Sequence, residues 1–289
     1  MKKENRRRQK RNKRKGGFFH SPFFIQFKLL VSTFLLHDFK DGLVILVHLN
    51  FKKNMTFKEL NLEEQLLEAI DHMGFTEATP IQEQAIPIIL NHQDIIACAQ
   101  TGTGKTAAFI LPVLNKLVGS EISAINTLII VPTRELAIQI EQEIQGLSYF
   151  VSVSSIAIYG GGSGKDWDIQ KDALKGGVDI VVATPGKLLS HIVQGYADFS
   201  QLKHLILDEA DKMLDMGFLD DLMSIFSNLP KQRQNLMFSA TMAPKIRQLA
   251  KTLLVNPAEI TLSISKPAEG VKQSVYLTYD NQKGPLLKH

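Results

Sequence analysis

The stretch AQTGTGKT, residues 99–106, restricts the possible folds more than any other part of this chain. It sets two glycines and a lysine between the strand-like run Asp94-Ile-Ile-Ala-Cys98 and the apolar segment TAAFILPVL. Glycines let backbone N–H groups converge on an anion, and a helix that starts there adds the positive end of its dipole. Lys105 can then reach the outer phosphates and the Thr106 hydroxyl can ligate Mg²⁺. The segment matches the phosphate-binding loop pattern except that Ala99 stands at the first glycine. A glycine-rich turn that merely joins strand to helix is the alternative. The apolar strand before it and the apolar helix after it favour a chain that binds a nucleoside triphosphate.

Charge is distributed unevenly. Residues 1–54 carry 14 Lys and Arg against 3 Asp and Glu, which leaves 19 against 26 for residues 55–289. The excess positive charge therefore sits in the leader, and the body is mildly acidic. A body of that sign can hold nucleic acid only through local sites, not through a global basic field. The one cysteine, Cys98, excludes an internal disulfide framework and suits a reducing, cytoplasmic setting. Its place in the strand before the loop reads as a buried structural thiol.

Residues 1–15, MKKENRRRQKRNKRK, form a block of like charge that is expected to be disordered. Residues 17–50 are rich in Phe, Leu and Val, but Lys28, His37, Asp38, Lys40 and Asp41 interrupt them. No uncharged run of about 18 residues remains to span a membrane, and no small-residue cleavage site follows. Met55 opens a well-patterned sequence, so residues 1–54 read as an extension that the fold does not need. NLEEQLLEAIDHM is an amphipathic helix closed by Gly74. TPIQEQAIPIIL is a second helix, with Thr79 as N-cap, Pro80 at its first position and Gln82 completing a capping box. Strand-like runs recur at Asp94–Ala99, Thr127–Val131, Ser155–Tyr159, Asp179–Ala183, His204–Leu207 and Asn235–Phe238, with helical segments between them. This alternation predicts an α/β fold, a mostly parallel sheet with helices on both faces.

HLILDEAD places Asp208 and Glu209 at the end of a buried strand. In phosphate-loop folds the Asp holds Mg²⁺, and the adjacent Glu can orient and deprotonate the attacking water. An acidic helix start that favours the helix dipole is the plainer alternative.

With these stretches in place, residues 55–289 are similar to the DEAD-box RNA helicases, ATP-dependent enzymes of superfamily 2. The resemblance rests on GFTEATPIQ (74–82), AQTGTGKT (99–106), PTREL (132–136), GGG (160–162), TPGKL (184–188), DEAD (208–211) and SAT (239–241), all in the family's order. It implies a RecA-like domain over residues 55–263 that uses ATP and Mg²⁺ and binds RNA. Ala99, Gln100, Thr101, Gly102, Thr103, Gly104, Lys105 and Thr106 would cradle the phosphates. Phe57 and Phe75 would pack on or near the base, and Gln82 would read the adenine edge. That role and the capping box are both open to Gln82. Thr106 and Asp208 would serve the metal, and Lys105, Asp208 and Glu209 would carry the chemistry.

The resemblance assigns RNA backbone contacts, made without reading bases, to Pro132, Thr133 and Arg134, to Gly161 and Gly162, and to Thr184, Pro185 and Gly186. Ser239, Ala240 and Thr241 would couple hydrolysis to strand separation. Two departures stand out: Ala78 where the family has proline, and Lys187 where it usually has arginine. The resemblance also implies that full activity requires a second RecA-like domain. Residues 264–289 are similar only to a linker and that domain's beginning, and its arginine-rich motif is not among them. The expectation for these 289 residues alone is weak hydrolysis. The rival reading is an ATP- and RNA-binding fragment without useful catalysis.

Overall fold

The computed structural model describes residues 34–35, 47–48, 55–119, 124–162, 164–262, 279 and 282. The chain divides into two units, Met1–Lys53 and Asn54–His289. In the first, β1 (Phe34–Leu35) pairs antiparallel with β2 (Val47–His48). The expected basic tail and most of the expected linker lie outside the described residues. Among the described residues no helix is long and apolar enough to cross a membrane.

The second unit is built on a seven-stranded sheet in the order β5-β6-β4-β7-β8-β3-β9, and every neighbouring pair is parallel. Its strands are β3 (Ile95–Cys98), β4 (Thr127–Ile130), β5 (Ser155–Ile158), β6 (Ile180–Ala183), β7 (His204–Leu207), β8 (Gln234–Ser239) and β9 (Ala258–Thr261). The helices are α1 (Glu64–His72), α2 (Pro80–Leu90), α3 (Lys105–Leu117), α4 (Arg134–Leu147), α5 (Gly164–Gly176), α6 (Pro185–Val193), α7 (Ala210–Asp215), α8 (Leu219–Ser227) and α9 (Pro244–Leu253). All six expected strands form. The seventh, β9, was not anticipated, because the run Ala-Glu-Ile-Thr offers only Ile260 to the core. It forms because an edge position beside β3 satisfies its backbone without requiring a buried face.

Alternation along the strands explains the two apolar layers. Ile95, Ala97, Ile129, Val131, Ile206, Leu236 and Phe238 pack in one cluster with α1 to α4. Ile96, Leu128, Ile130, Leu205, Leu207 and Met237 pack in another with α6 to α9. Strands buried on both faces must be apolar throughout, which is why each reads as a continuous hydrophobic run.

Below the sheet, Asp94 accepts hydrogen bonds from the Asn235 N–H (2.8 Å) and the Val255 N–H (2.8 Å), tying β3 to β8 and to the approach of β9. At the start of β7, the His204 Nδ1 lies 3.0 Å from the Gln234 Oε1. Gln234 Nε2 donates to the Gln93 carbonyl at 2.7 Å, which orients its amide, so the His204 nitrogen carries the proton. Burial, assisted by the nearby Lys116 ammonium, holds the His204 pKa down at about 3.

That value gives a pH dependence with a definite sign. The unfolded chain protonates this imidazole near pH 6.5 and the native fold does not. The contribution is therefore complete above pH 6.5 and is lost as pH falls from there towards 3. At pH 5 the loss from His204 should be about 2 kcal/mol. Urea unfolding of the parent and of His204→Asn at pH 7.5 and pH 5 checks this. The variant should show the smaller loss on acidification, and equal losses would count against the assignment.

Candidate nucleotide and RNA site

The loop between β3 and α3 owes its shape to two glycines. Gly102 and Gly104 adopt φ of +83° and +90°, where other residues are strained. At Gly104 space is the second constraint, because a Cβ would lie 2.6 Å from Gln82 Nε2 and 2.9 Å from Thr79 Oγ1. The loop is braced from within. Lys105 is 6% exposed, and its ammonium donates to the Ala99 carbonyl at 2.8 Å. The Thr103 hydroxyl donates to the Gln100 carbonyl at 2.8 Å, and the Ala99 N–H donates to the Ser239 carbonyl at 3.0 Å. This last bond joins the loop to the SAT segment at the end of β8, where the Thr241 N–H reaches the Ser239 hydroxyl at 3.4 Å. Ser239 is buried, whereas Ala240 and Thr241 are exposed. Cys98 is half-buried rather than buried, because it ends β3 at this rim, and burial raises its thiol pKa.

Gln82 joins α2 to the same loop. Its Oε1 accepts from the Thr79 N–H at 2.9 Å, the arm of the capping box expected from sequence. Its Nε2 donates to the Gly104 carbonyl at 3.0 Å. The reciprocal Thr79 Oγ1 closes no hydrogen bond and is the one buried side-chain polar atom without a partner among the described residues. The Ala78 N–H donates to the Met55 carbonyl at 2.8 Å, a bond that a proline there could not make. It helps hold Phe57, whose ring centroid lies 6.4 Å from that of Phe75.

Asp208 and Glu209 approach from β7. Asp208 is 3% exposed, and burial pushes its carboxyl up to about 6 against the opposing pull of the Lys105 ammonium. Its Oδ1 accepts from the Glu209 N–H at 2.9 Å. Glu209 sits at φ +52°, a strained setting for a side chain of its type, at the N-cap position of α7 but with no capping bond from its side chain. Its Oε2 is 2.9 Å from the Lys212 ammonium.

These groups meet in one cavity of about 560 Å³, lined by Phe57, Phe75, Gln82, Thr101, Gly102, Gly104, Lys105, Thr106, Asp208 and Glu209. Ala99, Gln100 and Thr103 brace the loop rather than line the cavity. Of the polar lining groups, Gln139, Glu143 and Lys212 fall outside every motif legible in the sequence, and Thr79 was legible only as a helix cap. Glu143 lies mid-way along α4, and burial together with Asp208 raises its carboxyl pKa. Its position gave no motif spacing to read.

Among the described residues no group of three or more His, Cys, Asp and Glu could hold a metal by itself. The hard oxygens of Thr106 and Asp208 do share the cavity, and such a sparse set suits Mg²⁺, which is usually held by one or two carboxylates with phosphates and water.

The expected RNA residues fall on the loops after β4, β5 and β6. Thr133 caps α4, its hydroxyl accepting from the Leu136 N–H at 3.3 Å, and it also borders the nucleotide cavity. The Arg134 guanidinium lies 5.2 Å from the centre of the Tyr159 ring. A Cβ on Gly161, at φ +86°, would come 3.3 Å from Arg134 Nη1, so that loop lies against the arginine. Pro132 is buried, and Gly162 is exposed. The Thr184 N–H donates to the Ile158 carbonyl at 2.9 Å, Pro185 is buried as the first residue of α6, and Gly186 is exposed.

A phosphate-binding loop after one parallel strand and an acidic pair after another define a RecA-like nucleotide-binding domain. The family profile described as DEAD/DEAH box helicase matches residues 79–249, and the chain belongs to that family. It is 42% identical over 229 residues to the DEAD-box ATP-dependent RNA helicase CshA of Bacillus subtilis, covering 79% of this chain and 46% of that protein. It is 45% identical over 232 residues to CshA of Listeria monocytogenes, covering 80% and 44%. Among solved structures it is similar to a DEAD box protein from the hyperthermophile Methanococcus jannaschii, with a TM-score of 0.68, 39% identity and coverage of 81% and 62%. The chain thus spans less than half the length of these two curated relatives.

Proposed function

We propose that this domain supplies the nucleotide-binding half of an ATP-dependent RNA helicase that acts in the cytoplasm and opens short RNA duplexes locally. The observation that carries the reading is the single cavity shared by Lys105, Thr106, Asp208, Glu209 and Gln82. Backbone N–H groups of Thr101 to Thr106 and the Lys105 ammonium hold the triphosphate. Phe57 and Phe75 pack against the base, and Gln82 keeps a second amide hydrogen for adenine while its first braces Gly104. Thr106 and Asp208 would hold Mg²⁺, which when bound offsets negative charge on the phosphates. Glu209 takes a proton from the attacking water.

RNA runs across the loops of Pro132–Arg134, Gly161–Gly162 and Thr184–Gly186. These offer hydroxyls, N–H groups and one guanidinium to phosphates, so binding tracks the backbone and not the base order. The Ser239 carbonyl ties the phosphate loop to β8 through the Ala99 N–H, and Ser239, Ala240 and Thr241 couple hydrolysis to strand separation. Full turnover requires a second RecA-like domain, whose arginines stabilise charge on the transferred phosphoryl group; such groups contribute about 10³–10⁵-fold in rate.

Phosphate release measured with and without single-stranded RNA, with ATP and then with GTP, tests the proposal. ATP should bind more tightly than GTP, and RNA should accelerate its hydrolysis. Binding of ATP and RNA with no stimulated turnover would favour a binding module. Hydrolysis indifferent to RNA would point to another phosphate-loop ATPase.

A further inference from the structure

Behind the three loops assigned to RNA, a path of contacts joins α4, the residue after β5, α5 and α6. The Arg134 guanidinium lies over the Tyr159 ring at 5.2 Å, and the Tyr159 carbonyl accepts from Gln170 Nε2 at 3.4 Å. Gln170 is 5% exposed, and its Oε1 lies 3.1 Å from His191 Nε2. With that oxygen as acceptor, His191 Nε2 carries the proton and Nδ1 accepts from the Tyr196 hydroxyl. His191 is wholly buried and stacks on the Trp167 indole, with centroids 4.0 Å apart and planes 15° apart. The Lys187 ammonium lies 4.1 Å from the centre of the Trp167 ring.

We propose that Trp167 is a positioning residue that, backed by His191, fixes the Lys187 ammonium beside the Thr184–Gly186 loop for contact with an RNA phosphate. This inference rests on the RNA-binding reading above. Lys187 stands where the family usually has arginine. An arginine fork is planar and preorganised, whereas a lysine ammonium sits on a flexible four-carbon stem and loses more freedom when it binds. The indole face compensates, because its quadrupole holds a cation over the ring.

His191 suits its place only when neutral, since an imidazolium would compete with Lys187 for the same indole. Burial, and after it the Lys187 charge, holds its pKa down at about 4, so it stays neutral through the physiological range.

Trp167 is the only tryptophan in the chain, so its emission reports the contact directly. Lys187→Ala should shift that emission in the absence of RNA. Binding of a fluorescein-labelled single-stranded RNA, measured over a range of salt concentrations, separates position from charge. Trp167→Ala leaves the lysine charge in place but unfixed. It should weaken binding about two- to five-fold with an unchanged salt slope. Lys187→Ala should lower the slope by about 0.7, the single-strand value for one phosphate contact. The double variant should bind like Lys187→Ala alone, and Trp167→Phe should restore most of the affinity. ATP affinity should stay at the parent value throughout.

Full additivity of the two substitutions would overturn the inference, as would RNA binding unaffected by Trp167→Ala. A parent chain that binds no RNA even at low salt would remove the reading it rests on, and the inference with it.

Discussion

Lys105→Ala is expected to lower ATP affinity by about a hundredfold or more, since charge-assisted hydrogen bonds are worth about 1.5–3 kcal/mol each and the ammonium can make several. Lys105 is 6% exposed and already bonds the Ala99 carbonyl, so it is held over the loop before any phosphate reaches it. Exchanging a neutral carbonyl for phosphate oxygens strengthens its bonds. The same ammonium opposes the rise in the Asp208 pKa. Its removal should therefore push that carboxyl higher still and weaken Mg²⁺ dependence along with nucleotide binding.

Titration with a fluorescent ATP analogue, with the unfolding midpoint recorded alongside, measures the effect. A buried carbonyl loses its partner in this variant, so some loss of stability is expected as well. Lys105→Arg keeps the charge and separates the two effects. It should unfold close to the parent, yet bind ATP less well because the fork does not fit a cradle shaped for an ammonium. Parent-like affinity in a folded Lys105→Ala chain would show that the cradle is not the phosphate site.

Much of this site was legible because its chemistry is local in sequence. The stretch from Ala99 to Thr106 contains its own turn residues, cation and hydroxyl, and apolar runs mark the strands that carry it and the acidic pair. The helix starting at Thr79 was readable for the same reason, since a capping box joins residues three apart. Features that depend on distant pairing were hidden. Nothing in Ala258–Thr261 announces a strand, and only the free edge of β3 recruits it. Gln82 bonding Gly104 needs α2 and α3 to be placed side by side. Glu143 enters the cavity from the middle of a helix whose pattern reports only its apolar face. The stack of Lys187, Trp167 and His191 crosses from α5 to α6, so neither helix betrays it alone. Sequence showed lysine at 187 where the resemblance has arginine, but the indole that this ammonium faces is visible only in the fold.

Glu209→Gln should leave the fold and ATP affinity close to the parent while lowering hydrolysis by about 10²–10⁴-fold, the usual contribution of a positioned acid–base group. The substitution keeps the side-chain shape and removes the proton-accepting capacity. It also breaks the pair with Lys212, whose side chain is 60% exposed, and such pairs contribute only about 0–1 kcal/mol. Stability and catalysis should therefore separate. Lys212→Ala provides the control, because it breaks the same pair and spares the carboxylate. If the pair itself mattered for turnover, both variants would be equally slow. Single-turnover hydrolysis should be followed in the presence of single-stranded RNA, with a second RecA-like domain supplied in trans if the chain alone is too slow to compare. A Glu209→Gln chain that hydrolyses ATP at the parent rate would move the base elsewhere. Glu143 would then be the first residue to test, since it lines the same cavity and its carboxyl pKa is raised by burial and by Asp208.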